Sequence, residues 1–258
     1  DWWGYAAGRE CPLDRIEYID YGTDPAAWLA AAEADEVDCF YENVGEYVDV
    51  MEGIGWENSE IATGSTILIR PNQTTPDADG NTVYADKRVR QALAMAVDNN
   101  ICLELGYANK GAPADNHHAG SMHPEHDPSV GRLPYDPAKA KALMAEAGMA
   151  DYEHELISID DDWRKNTTDA VAAQLRDAGI KVKRTILPGS TFWNDWAKYP
   201  FSSTNWNHRP FAVQVWGLAY RSGEAWNEMG WSNAEFDALL AEANAIADAD
   251  KRRVVAGK

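Results

Sequence analysis

The sequence predicts an α/β fold, because strand-like and helix-like segments follow one another along the chain. Residues 16–21 alternate apolar and polar side chains like a strand, residues 26–34 form an alanine-rich helix, and residues 37–41 are extended again. The chain has 258 residues, of which 45% are apolar and 25% are charged. This length and composition allow a sizeable core and exclude a wholly disordered chain.

Capping residues mark where the predicted helices begin and end. Asp24 and Asp136 each precede a proline, which is the pattern of an N-cap followed by a first-turn proline. Asp86 begins a helix that continues to Val97, and the last helix begins near Asn233. A helix ending at Gly179 is followed by a short strand.

A turn-rich segment divides the chain into two predicted units, residues 1–75 and residues 76–258. A strand over residues 66–70 comes first, and residues 73–81 are rich in Thr, Pro, Asp and Gly, which is typical of a linker. Residues 111–135, rich in Gly, Pro and His, are predicted to be a long loop.

The chain is strongly acidic, with 23 basic and 42 acidic residues and a net charge of −19. Residues 1–75 hold 16 Asp and Glu against 3 Arg, a net charge of −13. Such a field repels nucleic acid and anionic lipid, so neither is an expected partner. A halophilic or marine source would explain the acidity without any functional meaning.

The three cysteines, Cys11, Cys39 and Cys102, form no CxxC pair, so neither a disulfide framework nor a zinc ribbon is indicated. No apolar stretch is long enough to span a membrane.

Several motifs, in the right order, resemble those of one family. They are Trp2-Trp3-Gly4, DKRVRQALAMAVD (residues 86–98), YDPAKAKALMAEAG (135–148), AGIKV (178–182) and NAEFDALL (233–240). The chain thereby resembles the family-5 extracellular solute-binding proteins, the oligopeptide- and dipeptide-binding proteins of ABC importers. Asp35 stands where that family often has a helix-ending glycine, so we expect a strained turn there.

The resemblance implies a periplasmic binding protein-like architecture (class II, peptide-binding type) in which two lobes close on a ligand. Residues 1–75 would be a fragment of the first lobe and residues 76–258 the C-terminal lobe, so the chain is expected to be truncated. Residues 1–75 would then expose an unpaired strand edge and apolar surface.

As function, the resemblance implies capture of a peptide-like or other small polar or anionic solute and its delivery to the membrane permease of an ABC importer. The expected location is the periplasm or the cell surface, and no cofactor, metal or catalytic residue is expected. A ligand-sensing domain of a transcription regulator and a carbohydrate-active enzyme are the alternatives.

The densest group of candidate ligand-binding residues combines flat aromatic rings with polar and positively charged side chains. Rings of this kind can stack on an apolar or sugar-like ligand body, and arginine forks bind carboxylate or phosphate. The group consists of Trp206, His208, Arg209, Trp216, Tyr220, Arg221, Trp226 and Asn227. The same tryptophans could instead fill a core, and the arginines could pair with surface acids such as Glu224 or Glu228.

Ala219 is the main departure from the family pattern. Peptide-binding members carry W-x-x-D-Y-x-D-P, in which the first Asp pairs with the ligand's α-amino group, and the matching run here begins at Trp216. Because Ala219 replaces that Asp, we expect an anionic or polar-neutral ligand, stacked on Trp216 or Trp206, rather than a simple peptide.

Two further clusters could carry chemistry but favour simpler explanations. The histidines of residues 117–126 fit no zinc template, so they are interpreted as part of a solvated loop. Residues 160–162, three consecutive Asp, are the nearest match to a glycosidase carboxylate pair but are interpreted as the cap of a helix.

Overall fold

The computed structural model describes residues 3–10, 12–41, 43, 45–130 and 132–258, with only the backbone described for Trp3 and Tyr5. Trp2 of the opening motif and Cys11 therefore lie outside the described residues, as does Gly131 in the predicted loop. Cys39 and Cys102 are free thiols.

The described strands form one four-stranded sheet with the order β1-β4-β2-β3. Strand β2 runs parallel to both of its neighbours, β3 and β4, whereas β1 pairs antiparallel with β4, from Thr66 opposite Trp206 to Pro71 opposite Phe201. The strands are β1 (Thr66–Pro71), β2 (His154–Ile159), β3 (Val182–Leu187) and β4 (Phe201–Trp206).

Helices cover the sheet and fill the connections between strands. They are α1 (Trp3–Ala6), α2 (Pro25–Glu33), α3 (Tyr47–Gly53), α4 (Lys87–Met95), α5 (Asn99–Tyr107), α6 (Pro137–Glu146), α7 (Asp162–Asp177), α8 (Gly189–Asp195), α9 (Ala212–Ala219), α10 (Ala234–Asn244) and α11 (Ala249–Ala256). None of the described helices is long and apolar enough to cross a membrane.

The predicted N-caps are confirmed. The carboxylates of Asp24, Asp86 and Asp136 accept hydrogen bonds from first-turn backbone N–H groups of α2, α4 and α6, and the amide oxygen of Asn233 does the same for α10. Asp161 caps α7, so the acidic run before that helix is a capping segment as predicted. Asp35, just after α2, has a φ of +55°, the left-handed conformation expected where the family often has glycine.

Two predicted strands are wrong. Residues 16–21 and 37–41 have no regular secondary structure. Several of their apolar side chains lie in solvent, with 93% of Tyr18 and 91% of Tyr41 exposed. A segment with alternating apolar and polar residues forms a stable strand only when a neighbouring strand pairs with its backbone. None of the described strands lies beside these segments.

The main core packs on one face of the sheet. There Leu156 of β2 and Phe201 of β4 contact buried residues of α4, α6 and α7. On the other face, Ile157 and Ile159 pack against Phe192 of α8, while Trp206 packs against α9. Adjacent β2 residues thus face opposite cores, as the two-residue repeat of a strand requires.

The strand β1 belongs to this same sheet although it precedes the predicted linker. Its pairing with β4 ties residues 66–71 to the second of the two predicted units. Residues before the strand also contact later ones, for example Thr23 Oγ1 to Asp160 Oδ1 at 3.4 Å and Lys110 Nζ to Asp49 Oδ1 at 2.8 Å. The division of the chain at residue 75 stays a prediction.

Candidate functional site

The sheet has a topological switch point between β2 and β4. The chain leaves β2 through α7 to reach β3 on one side, whereas β4 lies on the other side of β2. The carboxyl ends of β2 and β4, at Ile159 and Trp206, therefore open onto one edge of the sheet, here called the carboxyl edge. In open α/β sheets ligands bind in the crevice outside such an edge.

Arg164 lies in the first turn of α7 at the carboxyl edge and is held in place by three neighbours. Its Nε donates to Asn205 Oδ1 of β4 at 2.8 Å, its Nη1 forms an ion pair with the Asp161 carboxylate, and its guanidinium stacks over the Trp163 ring at 4.1 Å. Burial raises the pKa of Asp161, and the guanidinium opposes that shift. The result is a cation with a fixed orientation and 16% of its side chain exposed.

Histidines join the long loop over residues 111–135 to the same edge. His208 Nδ1 accepts a hydrogen bond from Gly64 N at 2.9 Å, and its ring stacks on His123 with centroids 6.3 Å apart. His123 Nε2 in turn donates to the Arg209 carbonyl at 3.0 Å. A Cβ atom at Gly64 would lie 2.6 Å from the His123 ring, so only glycine fits this close approach.

A buried ion pair fixes the segment that follows α9. The Arg70 and Glu228 side chains are 2% and 0% exposed, and Nε lies 2.6 Å from Oε2. Glu228 also accepts hydrogen bonds from Thr204 Oγ1 and Trp206 Nε1. Burial raises the pKa of Glu228, against the opposing effect of Arg70. Strands β1 and β4 and the segment around Glu228 are therefore locked together.

Among the described residues, no group of three or more His, Cys, Asp or Glu side chains is placed to hold a metal ion. The histidines of the long loop take part in other contacts instead. His118 Nδ1 lies 2.7 Å from the Tyr220 hydroxyl, and His126 Nε2 lies 3.5 Å from Asp115 Oδ2.

Residues 1–227 match the family model for "Bacterial extracellular solute-binding proteins, family 5 Middle". The chain belongs to this family. Among curated relatives, it is 26% identical to "Probable peptide ABC transporter periplasmic-binding protein y4tO" of Sinorhizobium fredii, over 98% of this chain and 50% of the relative. It is 28% identical to "Heme-binding protein A" of Haemophilus influenzae, over 66% of this chain and 33% of the relative.

The fold also matches solved structures of other binding proteins. The oligopeptide-binding protein AppA from Bacillus subtilis, in complex with a nonapeptide, superimposes with a TM-score of 0.77 at 22% identity, over 91% of this chain and 49% of that one. NikA from Staphylococcus aureus in complex with Ni(L-His)2 gives a TM-score of 0.74 at 18% identity, over 91% and 50%. The chain thus has the predicted α/β fold of periplasmic peptide-binding proteins. It spans about half the length of the y4tO relative and of both solved structures.

Within this family-5 chain, the eight predicted ligand-binding residues are spread over the carboxyl edge, the segment after α9 and a cavity beside α9. His208 and Arg209 lie at the carboxyl edge, where the Arg209 guanidinium donates to the carbonyls of Asn207 and His208. Trp206 ends β4 and is 5% exposed, because its ring packs into the core.

Three other predicted residues belong to the segment over residues 221–233. Arg221 is exposed and lies 3.4 Å from Glu224, so the surface pairing considered from the sequence is present. The Asn227 amide donates to the carbonyls of Tyr220, Arg221 and Trp231 and holds the segment's shape. Trp226 is 47% exposed and packs edge-on against the Trp206 ring.

The remaining two, Trp216 and Tyr220, lie on or just after α9 and line a separate cavity. Ala219, between them, is 0% exposed and packs against Trp206 and Val215. The structure therefore places position 219 in a core rather than in a cleft, and the inference from Ala219 about the ligand's amino group loses its structural basis.

No sequence pattern described above predicts a role for Arg164 or Asn205. The available signal was position: Arg164 falls in the first turn of the helix that follows a buried strand, which is where the ligand groups of open α/β sheets are found. Its acidic neighbours were interpreted only as a helix cap.

Proposed function

We propose that this chain is part of the solute-binding component of an ABC importer, located in the periplasm or at the cell surface. It captures a small anionic or polar solute at the carboxyl edge of its sheet and delivers that solute to the membrane permease. Family membership supports the importer role, since family-5 relatives are named as peptide and heme-binding proteins. No catalytic step is part of the proposal.

The observation that carries the ligand class is the geometry of Arg164. Its Nε and Nη1 groups are fixed by Asn205 and Asp161, so the guanidinium is already oriented at the switch point. A pre-oriented guanidinium beside an aromatic ring suits a carboxylate, because the side chain loses little further freedom on binding. An acidic peptide derivative, a modified amino acid and a sugar acid all offer that carboxylate.

Calorimetry with matched probe pairs tests this. The dipeptide Ala-Glu is compared with Ala-Gln, and galacturonate with galactose, on the 258-residue chain. We expect at least one acidic probe to bind about tenfold more tightly than its neutral partner, as a charge-assisted hydrogen bond allows. R164Q should abolish that preference.

R221A is the matched control, because Arg221 is exposed and paired with Glu224. It should leave the affinity for the acidic probe within about twofold of the unmodified chain. Loss of affinity in R221A but not in R164Q would move the site to the 221–233 segment. Equal affinity for acidic and neutral probes, or no binding of either, would overturn the proposal.

A further inference from the structure

A cavity of about 410 Å³ lies away from the carboxyl edge. Its wall includes Pro71, the last residue of β1, and Gln73, at the opposite end of the β1–β4 pair from Thr66 and Trp206. Arg164, His208 and Arg209 of the carboxyl edge do not line it. The long loop reaches both places, because His123 lies at the edge whereas His117 and Glu125 line the cavity. A volume in this range accommodates a small organic ligand.

Aromatic rings make up much of the cavity wall. Trp231 and Phe236 pack edge-to-face with centroids 4.9 Å apart, and Tyr220 lies 6.3 Å from Trp231. Trp216 of α9 adds a fourth ring. The Tyr220 hydroxyl lies 2.7 Å from His118 Nδ1, so its polar atom is occupied and its ring is left as apolar surface. Such walls favour a ligand with an aromatic or aliphatic body.

The acidic groups in the wall already have partners. Glu125 is 1% exposed and accepts hydrogen bonds from Arg252 Nε at 2.5 Å and from the Ala212 backbone N–H at 3.0 Å. Asp127 accepts from the Ser129 backbone N–H and hydroxyl, which lower the pKa of its carboxyl. Arg252 therefore balances the charge of Glu125, and the nearby Arg253 also lowers the pKa of the Asp127 carboxyl.

Arg90 differs from these groups. It is half-buried on α4, and its Nη1 donates to the carbonyls of Tyr84 and Ala85, each at 2.8 Å. Within the described parts of the chain, no carboxylate oxygen lies within 4.0 Å of its guanidinium. Burial lowers the pKa of Arg90, and the Asp86 carboxylate opposes that shift from beyond ion-pair distance. An anion in the cavity would place a counter-charge in direct contact with the guanidinium.

We propose that this cavity is a second binding site, distinct from the carboxyl edge, for an amphipathic monocarboxylate. The carboxylate of the ligand pairs with Arg90, and its apolar body lies among Trp216, Trp231 and Phe236. The site does not depend on the importer function, because none of its residues takes part in capture at the carboxyl edge.

The test compares 4-phenylbutyrate with 4-phenylbutyramide, which share a body and differ in charge, by calorimetry on the 258-residue chain at neutral pH. We expect the carboxylate to bind about tenfold more tightly, the effect of one charge-assisted hydrogen bond. In R90Q the two probes should bind equally, with the amide at its original affinity, which also shows that the cavity is still formed.

Two variants complete the design. K87Q removes an exposed charge from the same helix and should change neither affinity. A256F places a ring in the cavity from the half-buried wall of α11 and should abolish binding of both probes even if R90Q fails to fold. The proposal is overturned if the unmodified chain does not bind phenylbutyrate, if it binds both probes equally, or if A256F binds as before.

Discussion

Residues 12–65 and residues 66–258 differ in how their apolar side chains are used. In the later region, apolar residues of the sheet and of α4, α6 and α7 share one core. In the earlier region, the described residues form only the short helices α2 and α3, and large apolar side chains such as Ile16 (61% exposed) and Ile61 (74% exposed) lie in solvent. The exposed apolar surface expected from the resemblance is therefore present.

The difference shows what local sequence can and cannot specify. Both regions contain strand-like segments, but only those of the later region pair with other described strands, as residues 66–71 do with β4 and residues 182–187 with β2. A strand's hydrogen bonds are made with another segment, whereas a helix satisfies its own. The helix α2 consequently forms in a region where the predicted strands do not.

Removing an ion pair should change the free energy of unfolding far more in the later region than in the earlier one, and this is the largest difference that we expect between them. E228A leaves the Arg70 guanidinium buried without a carboxylate, so the free energy of unfolding should fall by about 3–5 kcal/mol. E17A breaks the exposed Arg15–Glu17 pair of the earlier region and should cause no measurable change. Urea unfolding followed by circular dichroism measures both. A loss of less than 1 kcal/mol in E228A would show that Arg70 finds other compensation.

A second prediction concerns pH, because the histidines that resist protonation lie in the later region. Burial lowers the pKa of His118 and His154 to about 4, whereas an unfolded histidine titrates near 6.5. Between these values the unfolded chain binds more protons, so the free energy of unfolding should fall as the pH drops from 6.5 towards 4. Each histidine accounts for about 2–3 kcal/mol of that loss.

The variant H154Q isolates one of these contributions. The difference in unfolding free energy between pH 6.5 and pH 4.5 should shrink by about 2–3 kcal/mol relative to the unmodified chain. Carboxylates titrate equally in both proteins, so the subtraction removes their effect. An unchanged pH dependence would mean that His154 is protonated in the folded chain.

The smallest effect comes from helix caps, one in each region. D136A removes the acceptor for the Lys139 backbone N–H of α6 and should cost about 1 kcal/mol of global stability. D24A removes the equivalent bond to Ala26 at the start of α2. D24A should increase amide exchange within α2 without shifting the midpoint of urea unfolding. A midpoint shift in D24A equal to that in D136A would show that the two regions unfold together.

The helices could be predicted because their signals are local. The caps at Asp24, Asp86 and Asp136 each bond to a backbone N–H within three residues. Strand β4 could not be predicted in this way, since its buried centre is polar. Ser203 accepts a hydrogen bond from Thr168, and Thr204 donates to Glu228, so distant partners make the burial of these hydroxyls acceptable.

The candidate site likewise could be predicted only where its residues are placed by their neighbours in the sequence. His208 and Arg209 were predicted and do lie at the carboxyl edge, because they directly follow β4. Arg164 could not be predicted, because the orientation of its side chain depends on Asn205, which is 41 residues away in the sequence. The eight predicted residues are close in sequence, but Trp216 and Tyr220 line the cavity beside α9, and Arg221 pairs with Glu224 at the surface.

The antiparallel pairing of β1 with β4 also bears on how the chain is synthesised. Pro71 and its partner Phe201 are separated by 130 positions, and β4 is the neighbour with which β1 pairs in the sheet. At typical translation rates, β1 leaves the ribosome about 7–26 s before β4 does. During that interval the run of Ile67, Leu68 and Ile69 has no strand to join, so we expect a chaperone that shields nascent chains to cover this segment.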